Sequence, residues 1–363
     1  MMNINDNDIE SLGWKTNDPA AFQSLKSALI AFFETYQATY SEHSAIDLSN
    51  IDRRAKFEIS KYKSSYFTAI THFQHFFEYI LKATLEKINP ILAEKYDERG
   101  FSDIYALVQG LSLSEVSSQS IEFSDALKRL KKIKTIDAGN PIINEIDFLL
   151  QNEETLNVLT NLRNRIWHKS LFFLQYHNLD LFIGQNILPL VKQTMALSEY
   201  ASNETWRYKR LSCGKDPIDE IIAECTKATP SYEKIALLKE LGRAAYCNPL
   251  SVISATASPL EKYLVEYGNS EKKAEHIAKA DAVCKEFFFT DVFDCPVCGQ
   301  HTLIKHEMID GFETTDALGN TIEATCYIPE KIKCEACSFE VHENIKDLSC
   351  CGIASSAFWD RHL

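Results

Sequence analysis

Apolar side chains recur at helical spacing over most of the first 287 residues, and give way to short alternating runs after Phe289. Phe73, Phe76, Phe77, Ile80, Leu81 and Leu85 mark the buried stripe of a helix from about Arg53 to Ile88. Asn89-Pro90 ends it, because proline pushes the preceding residue out of the helical region. Asp18-Pro19 reads as an N-cap with proline in the first turn and opens Ala20 to Tyr40. Shorter helices are expected at Ser102–Gln109 and Ser124–Lys134, and Asn140-Pro141 opens another stretch. Leu156, Leu159, Leu162 and Ile166 predict a helix from Glu153 to Lys169. Leu179 to Tyr200 predicts one more, kinked at Pro189.

From Trp206 to Phe287 the pattern is helical but more broken, with caps at Asp216-Pro217, Ser231 and Ser258-Pro259. His301–Ile309, Thr321–Ile328 and Phe339–His342 read as strands, and Leu318-Gly319-Asn320 as a turn. The expected architecture is mainly α: a helical bundle over 1–205, a helical connector over 206–287 and a small C-terminal β ribbon over 288–363.

All 11 cysteines lie at or after Cys213, and two pairs have Cys-x-x-Cys spacing: Cys295-Pro-Val-Cys298-Gly and Cys334-Glu-Ala-Cys337. Each such turn sets two sulfurs on one side of a metal, and the glycine allows the tight turn that aims amides at sulfur. Four thiolates satisfy a tetrahedral Zn2+ and leave no position for substrate, so the expected cofactor is a structural zinc ion held by Cys295, Cys298, Cys334 and Cys337. The 35 residues between the pairs predict an inserted hairpin from about His301 to Lys333. Cys326, Cys350 and Cys351 read as small buried residues, and His301 and His342 as strand residues that could replace a cysteine if the pairing differed.

The net charge of −13 is unusual for a protein that coats nucleic acid, since phosphate binding relies on Lys and Arg; a local basic cleft remains compatible with it. No apolar run is long enough to span a membrane and no secretory leader is evident, which makes the cytoplasm the expected compartment.

One segment carries candidate chemistry: Asn161-Leu162-Arg163-Asn164-Arg165-Ile166-Trp167-His168-Lys169. On a helix Asn164 and His168 share a face, with Arg163 on its flank. His168 could take a proton from a ribose 2′-OH or give one to the leaving 5′-oxygen. Arg163 could pair with the scissile phosphate, and Asn164 could orient either partner. Here the chain resembles the HEPN family, whose ribonuclease members carry an Arg, usually followed by Asn, Asp or His, and a His four to six residues after the Arg. The resemblance spans about residues 55–200. It implies a helical bundle that forms a homodimer, a composite cleft that cleaves single-stranded RNA without a metal, and a role in antiviral defence, toxin–antitoxin or RNA-processing systems. It also suggests Glu78, on the long preceding helix, as a partner of Arg163; a solvated helix charge is the alternative reading.

Lys128, Arg129, Lys131 and Lys132 form a basic cluster that, with Arg165 and Lys169, could line an RNA path or be a solvated surface. Two functions stay open: an endoribonuclease, or a non-catalytic adaptor whose ribbon mediates protein or nucleic-acid assembly. A DNA-binding ribbon is disfavoured by Asp310, Glu313 and Asp316.

Overall fold

The computed structural model describes residues 18–38, 59–95, 120–169, 174–253, 257–287, 292–315 and 321–354. The described side chains exclude those of 18, 59–60, 167–169, 287, 308–315 and 321–327. The expected helix Ser102–Gln109 and the turn at 318–320 lie outside the described residues.

Among the described residues the chain is mainly α, with one four-stranded antiparallel sheet near the C-terminus. The long helices are α1 (Asp18–Glu34), α2 (Ile59–Ile88), α3 (Phe123–Ile136) and α6 (Glu153–Lys169). Two single turns, α4 (Pro141–Glu145) and α5 (Asp147–Gln151), precede α6. Next come α7 (Tyr176–Phe182), α8 (Leu188–Met195), α9 (Pro217–Cys225), α10 (Tyr232–Tyr246) and α11 (Pro259–Phe287). The strands are β1 (Val292–Asp294), β2 (His301–Thr315), β3 (Thr321–Cys334) and β4 (Glu340–His342). The chain divides into two compact units: Met1–Leu29, Phe67–Phe173 and Pro189–Trp206 form one, and Ile30–Tyr66, Leu174–Leu188 and Arg207–Leu363 the other.

In the first unit, α2 buries Phe73, Phe76, Phe77, Ile80, Leu81 and Leu85, the stripe its periodicity demands. Each such side chain contributes about 1.5–3 kcal/mol on leaving water. The Asn89 side chain accepts the Ile91 amide and starts a single 3₁₀ turn at Pro90. Asn140 caps α4 by accepting from Ile142 and Ile143. On α6, Leu156, Leu159 and Ile166 are buried, whereas Leu162 is half-exposed at the edge of the stripe.

The expected kink at Pro189 takes another form. The helical path from Tyr176 to Met195 opens into a π turn at Ile183–Ile187, where the Leu188 amide bonds the Ile183 carbonyl. Proline has no amide and clashes with the carbonyl four residues back, and a widened turn just before it relieves that clash. Gly184 sits in this turn against α9; a Cβ there would meet Cys225 Sγ at 2.4 Å.

In the second unit, Asp216 caps α9 and Ser231 caps α10, as their sequences predict. Gly242 of α10 lies flat on the Phe33 ring, where a Cβ would come within 2.6 Å. Lys239 and Asp180 are both fully buried and form an ion pair at 2.6 Å. The β2–β3 hairpin pairs Leu303 with Cys334 and runs its full length to Thr315 and Thr321. β1, which alternation alone does not reveal, joins one edge of the hairpin and β4 the other. α11 packs on β2, and Leu303, Ile304, Ile332, Phe339 and Val341 fill the ribbon core.

Glu224 gives this unit an acid-sensitive contact. Burial pushes its carboxyl up, but Lys227, the Ser231 amide and Lys234 outweigh that and hold it at about 2. A carboxyl depressed on folding stabilises the fold above its ordinary value of 4.5 and loses that contribution as pH falls towards 2. Glu224→Gln is therefore expected to cost about 2–3 kcal/mol at pH 7 and to flatten the acid limb of stability. Urea melts of the two proteins between pH 7 and pH 3 check this; parallel pH profiles would refute it.

Candidate functional site

The two Cys-x-x-Cys turns have nearly the same backbone. The Gly299 amide bonds the Cys295 carbonyl at 2.9 Å, and the Ser338 amide bonds the Cys334 carbonyl at 3.1 Å. Gly299 has φ +68° and Ser338 φ +60°, so each turn closes through a left-handed residue after its second cysteine. The Cys295 amide then reaches the Gln300 carbonyl, and the Cys334 amide the Phe339 carbonyl. β1 leads into the first turn, β3 leads into the second, and the hairpin register holds the two turns side by side.

The four sulfurs lie within 4.8 Å of one another. Cys295 and Cys337 are 3.6 Å apart and Cys298 and Cys334 3.7 Å. A tetrahedral ion with metal–sulfur bonds of about 2.3 Å separates its sulfurs by about 3.8 Å, so the thiol cluster fits a tetrathiolate metal centre. Cys295, Cys334 and Cys337 are buried and Cys298 is half-buried. The neighbouring thiols of Cys295, Cys298 and Cys337 pull Cys334 far below the ordinary thiol range, and the Ala336 and Cys337 amides point at its sulfur at 3.4 and 3.5 Å. Thr302 Oγ1 lies 3.2 Å from the same atom. His301 pairs with Asp294 and His342 with Glu340, and neither joins the cluster. Cys351 is buried and Cys350 half-buried; the Cys326 side chain is outside the described set.

The second candidate site is a cleft of about 630 Å³ in the first unit, lined by Gln74 and Glu78 of α2 and by Thr160, Asn161, Arg163 and Asn164 of α6. Arg163 Nη1 donates to Asn164 Oδ1 at 3.1 Å. Glu78 accepts from Gln74 Nε2 at 2.8 Å and from Lys82 Nζ at 2.7 Å. Arg163, Asn164 and Glu78 thus reach one cleft from two helices. The helical backbone of α6 continues through Lys169, placing position 168 one turn beyond Asn164. The side chains of His168 and Lys169 lie outside the described set.

The structure adds a residue that sequence reasoning overlooked. His75 is half-buried on α2, three positions before Glu78. Burial lowers its pKa below 6.5; Glu78 opposes this, and His72, Arg163 and Lys82 reinforce it. It belongs to the same electrostatic neighbourhood as Arg163, and the spacing His72-x-x-His75-x-x-Glu78, one helical face, was the available cue.

The basic cluster on α3 is engaged within the protein. Arg129 Nη1 donates to the carbonyls of Leu92 and Glu94 at 2.8 and 2.7 Å. Lys131 pairs with Glu153, and Lys128 with Asp125 at 3.6 Å. Lys132 and Arg165 are exposed.

No family model, characterised protein or solved structure matches the chain. Its chemistry is therefore read from its own residues. No helix among the described residues is long and apolar enough to cross a membrane.

Proposed function

We propose that the chain is a metal-independent endoribonuclease of HEPN type acting on single-stranded RNA, with a structural Zn2+ on Cys295, Cys298, Cys334 and Cys337. The observation that supports it is the opening of Arg163, Asn164 and Glu78 into one cleft. In this reading an imidazole removes the ribose 2′-OH proton, the 2′-oxygen attacks phosphorus, and the P–O5′ bond breaks. The 5′-oxygen takes a proton from an acid, leaving a 2′,3′-cyclic phosphate and a 5′-hydroxyl. Arg163 pairs with the non-bridging oxygens as charge builds on them. Asn164 orients Arg163 through their hydrogen bond, and Gln74 and Lys82 hold the Glu78 carboxylate in place on α2. His168 is the principal proton carrier, and His75 stands as a second imidazole in the same field. Cys295, Cys298, Cys334 and Cys337 would hold Zn2+, which would cross-link the two cysteine turns as a structural ion.

The adaptor reading keeps one specific support: Arg129 and Lys131, the centre of the basic helix, are committed to internal partners. Cleavage decides between the two. His168→Ala and Arg163→Ala are each expected to slow cleavage of a single-stranded RNA at least about 100-fold in magnesium-free buffer, with cyclic-phosphate ends on the wild-type products. A wild-type chain that leaves RNA intact, or variants that cut as fast as it does, would favour the adaptor.

A further inference from the structure

α11 presents a long solvent-exposed face. Its inner side packs on β2, where Ala280 is buried, His276 Nδ1 lies 3.2 Å from Gln300 and Lys279 pairs with Glu335 at 2.9 Å. Its outer side carries Leu260, Tyr263, Leu264 and Tyr267, exposed at 67, 61, 56 and 54%, and continues through Ser270, Ala274 and Ile277. A contiguous row of large apolar side chains on a monomer marks an interaction surface.

The order of residues along this face specifies its occupant. In heptad terms Leu260, Tyr267 and Ala274 are a positions, Tyr263, Ser270 and Ile277 are d positions, and Glu266 and Lys273 are g positions. The N-terminal half is large and the C-terminal half small until Ile277. Antiparallel pairing of two such helices about an axis between Gly268 and Asn269 sets a against d. Leu260 then meets Ile277 of the second copy, Tyr263 meets its Ala274 and Tyr267 its Ser270, so large side chains fall opposite small ones. Neighbouring g positions put Glu266 beside the second copy's Lys273, twice by symmetry. Parallel pairing would instead stack tyrosine on tyrosine and serine on serine.

We infer that α11 is a self-association helix, pairing antiparallel with a second copy of this chain along a seam from Leu260 to Ile277. The seam covers 18 positions, about 27 Å of helix. It is built from side chains that already face solvent and lies outside residues 55–200, so it is a contact separate from any dimer made through the ribonuclease-like stretch.

The test is the mass of the full chain by sedimentation and light scattering across a concentration series. The wild type is expected to associate through α11, and Tyr263→Glu with Tyr267→Glu to halve its mass with the helical signal unchanged, because both positions are exposed. Glu266→Lys and Lys273→Glu are each expected to weaken the dimer on the order of tenfold or more, and the double reversal to restore it. A monomeric wild type, a mass left unchanged by the tyrosine substitutions, or a charge reversal without recovery in the double variant would each overturn the proposal. A monomer whose stripe captures a different molecule would overturn it as well.

Discussion

Cys334→Ser is expected to release the metal and to unfold the C-terminal ribbon. Cys334 Sγ accepts from the Ala336 and Cys337 amides and lies 3.7 Å from Cys298 Sγ and 3.2 Å from Thr302 Oγ1, so it ties the two cysteine turns together. The ribbon core is small, built around Leu303, Ile304, Ile332, Phe339 and Val341, and a core of that size holds little stability by itself. Structural zinc supplies apparent binding free energies of about 10–16 kcal/mol at neutral pH, and that energy is folding energy when the apo site does not form. The wild type is expected to carry about one equivalent of zinc per chain and the variant almost none. Hydrogen exchange should rise sharply over 292–354 in the variant while α2 and α6 keep their protection. Cys350→Ser serves as the control and should retain its metal, because Cys350 lies outside the sulfur cluster. A Cys334→Ser chain that keeps a full equivalent, or a metal-free ribbon with unchanged exchange, would show that the thiols hold together without an ion.

How much of this was written in the sequence depends on the range of the interaction concerned. Local chemistry was legible: Asn140, Asp216 and Ser231 cap helices because a short polar side chain before a helical run has few other uses. The bounds of α6, and the gathering of Cys295, Cys298, Cys334 and Cys337 into one cluster, followed from spacing alone. Pro189 announced a disruption but not its form, since either a kink or a widened turn relieves the same clash. β1 has three residues, too few for alternation to register, and β3 runs on to Cys334 because its partner strand, not its own pattern, sets its length. In the cleft, Arg163 and Asn164 were visible as neighbours, whereas the effect of Arg163 on His75 acts between two helices far apart in the chain. The bond between Lys239 and Asp180 spans 59 residues and joins two charged side chains that composition alone would place on the surface.

That buried pair carries the second large effect. Lys239 lies between the Tyr176 and Phe32 rings, at 4.0 and 4.8 Å from their centroids, with its ammonium on Asp180 Oδ1. Taking both charges out of water costs several kcal/mol per ion, which their attraction and the two rings roughly offset. Lys239→Met removes the attraction but leaves the carboxylate enclosed, and breaking such a pair on one side costs about 3–5 kcal/mol. Replacing both, as Lys239→Met with Asp180→Leu, removes the buried charge altogether and is expected to recover most of that loss. The two single effects should therefore be far from additive. The sign of the pH response adds a second readout. Burial already raises the Asp180 carboxyl, with Lys239 opposing it, so in Lys239→Met the folded-state value climbs further. A carboxyl raised on folding favours the fold below its unfolded value and loses that contribution as pH rises through its folded value. The single variant should thus regain stability between pH 7 and pH 5, the opposite of the loss carried by Glu224. Urea melts at both pH values measure each outcome. A Lys239→Met chain within about 1 kcal/mol of the wild type at pH 7 would mean that water or a shifted side chain reaches Asp180, and that the pair does not hold α7 and α10 together.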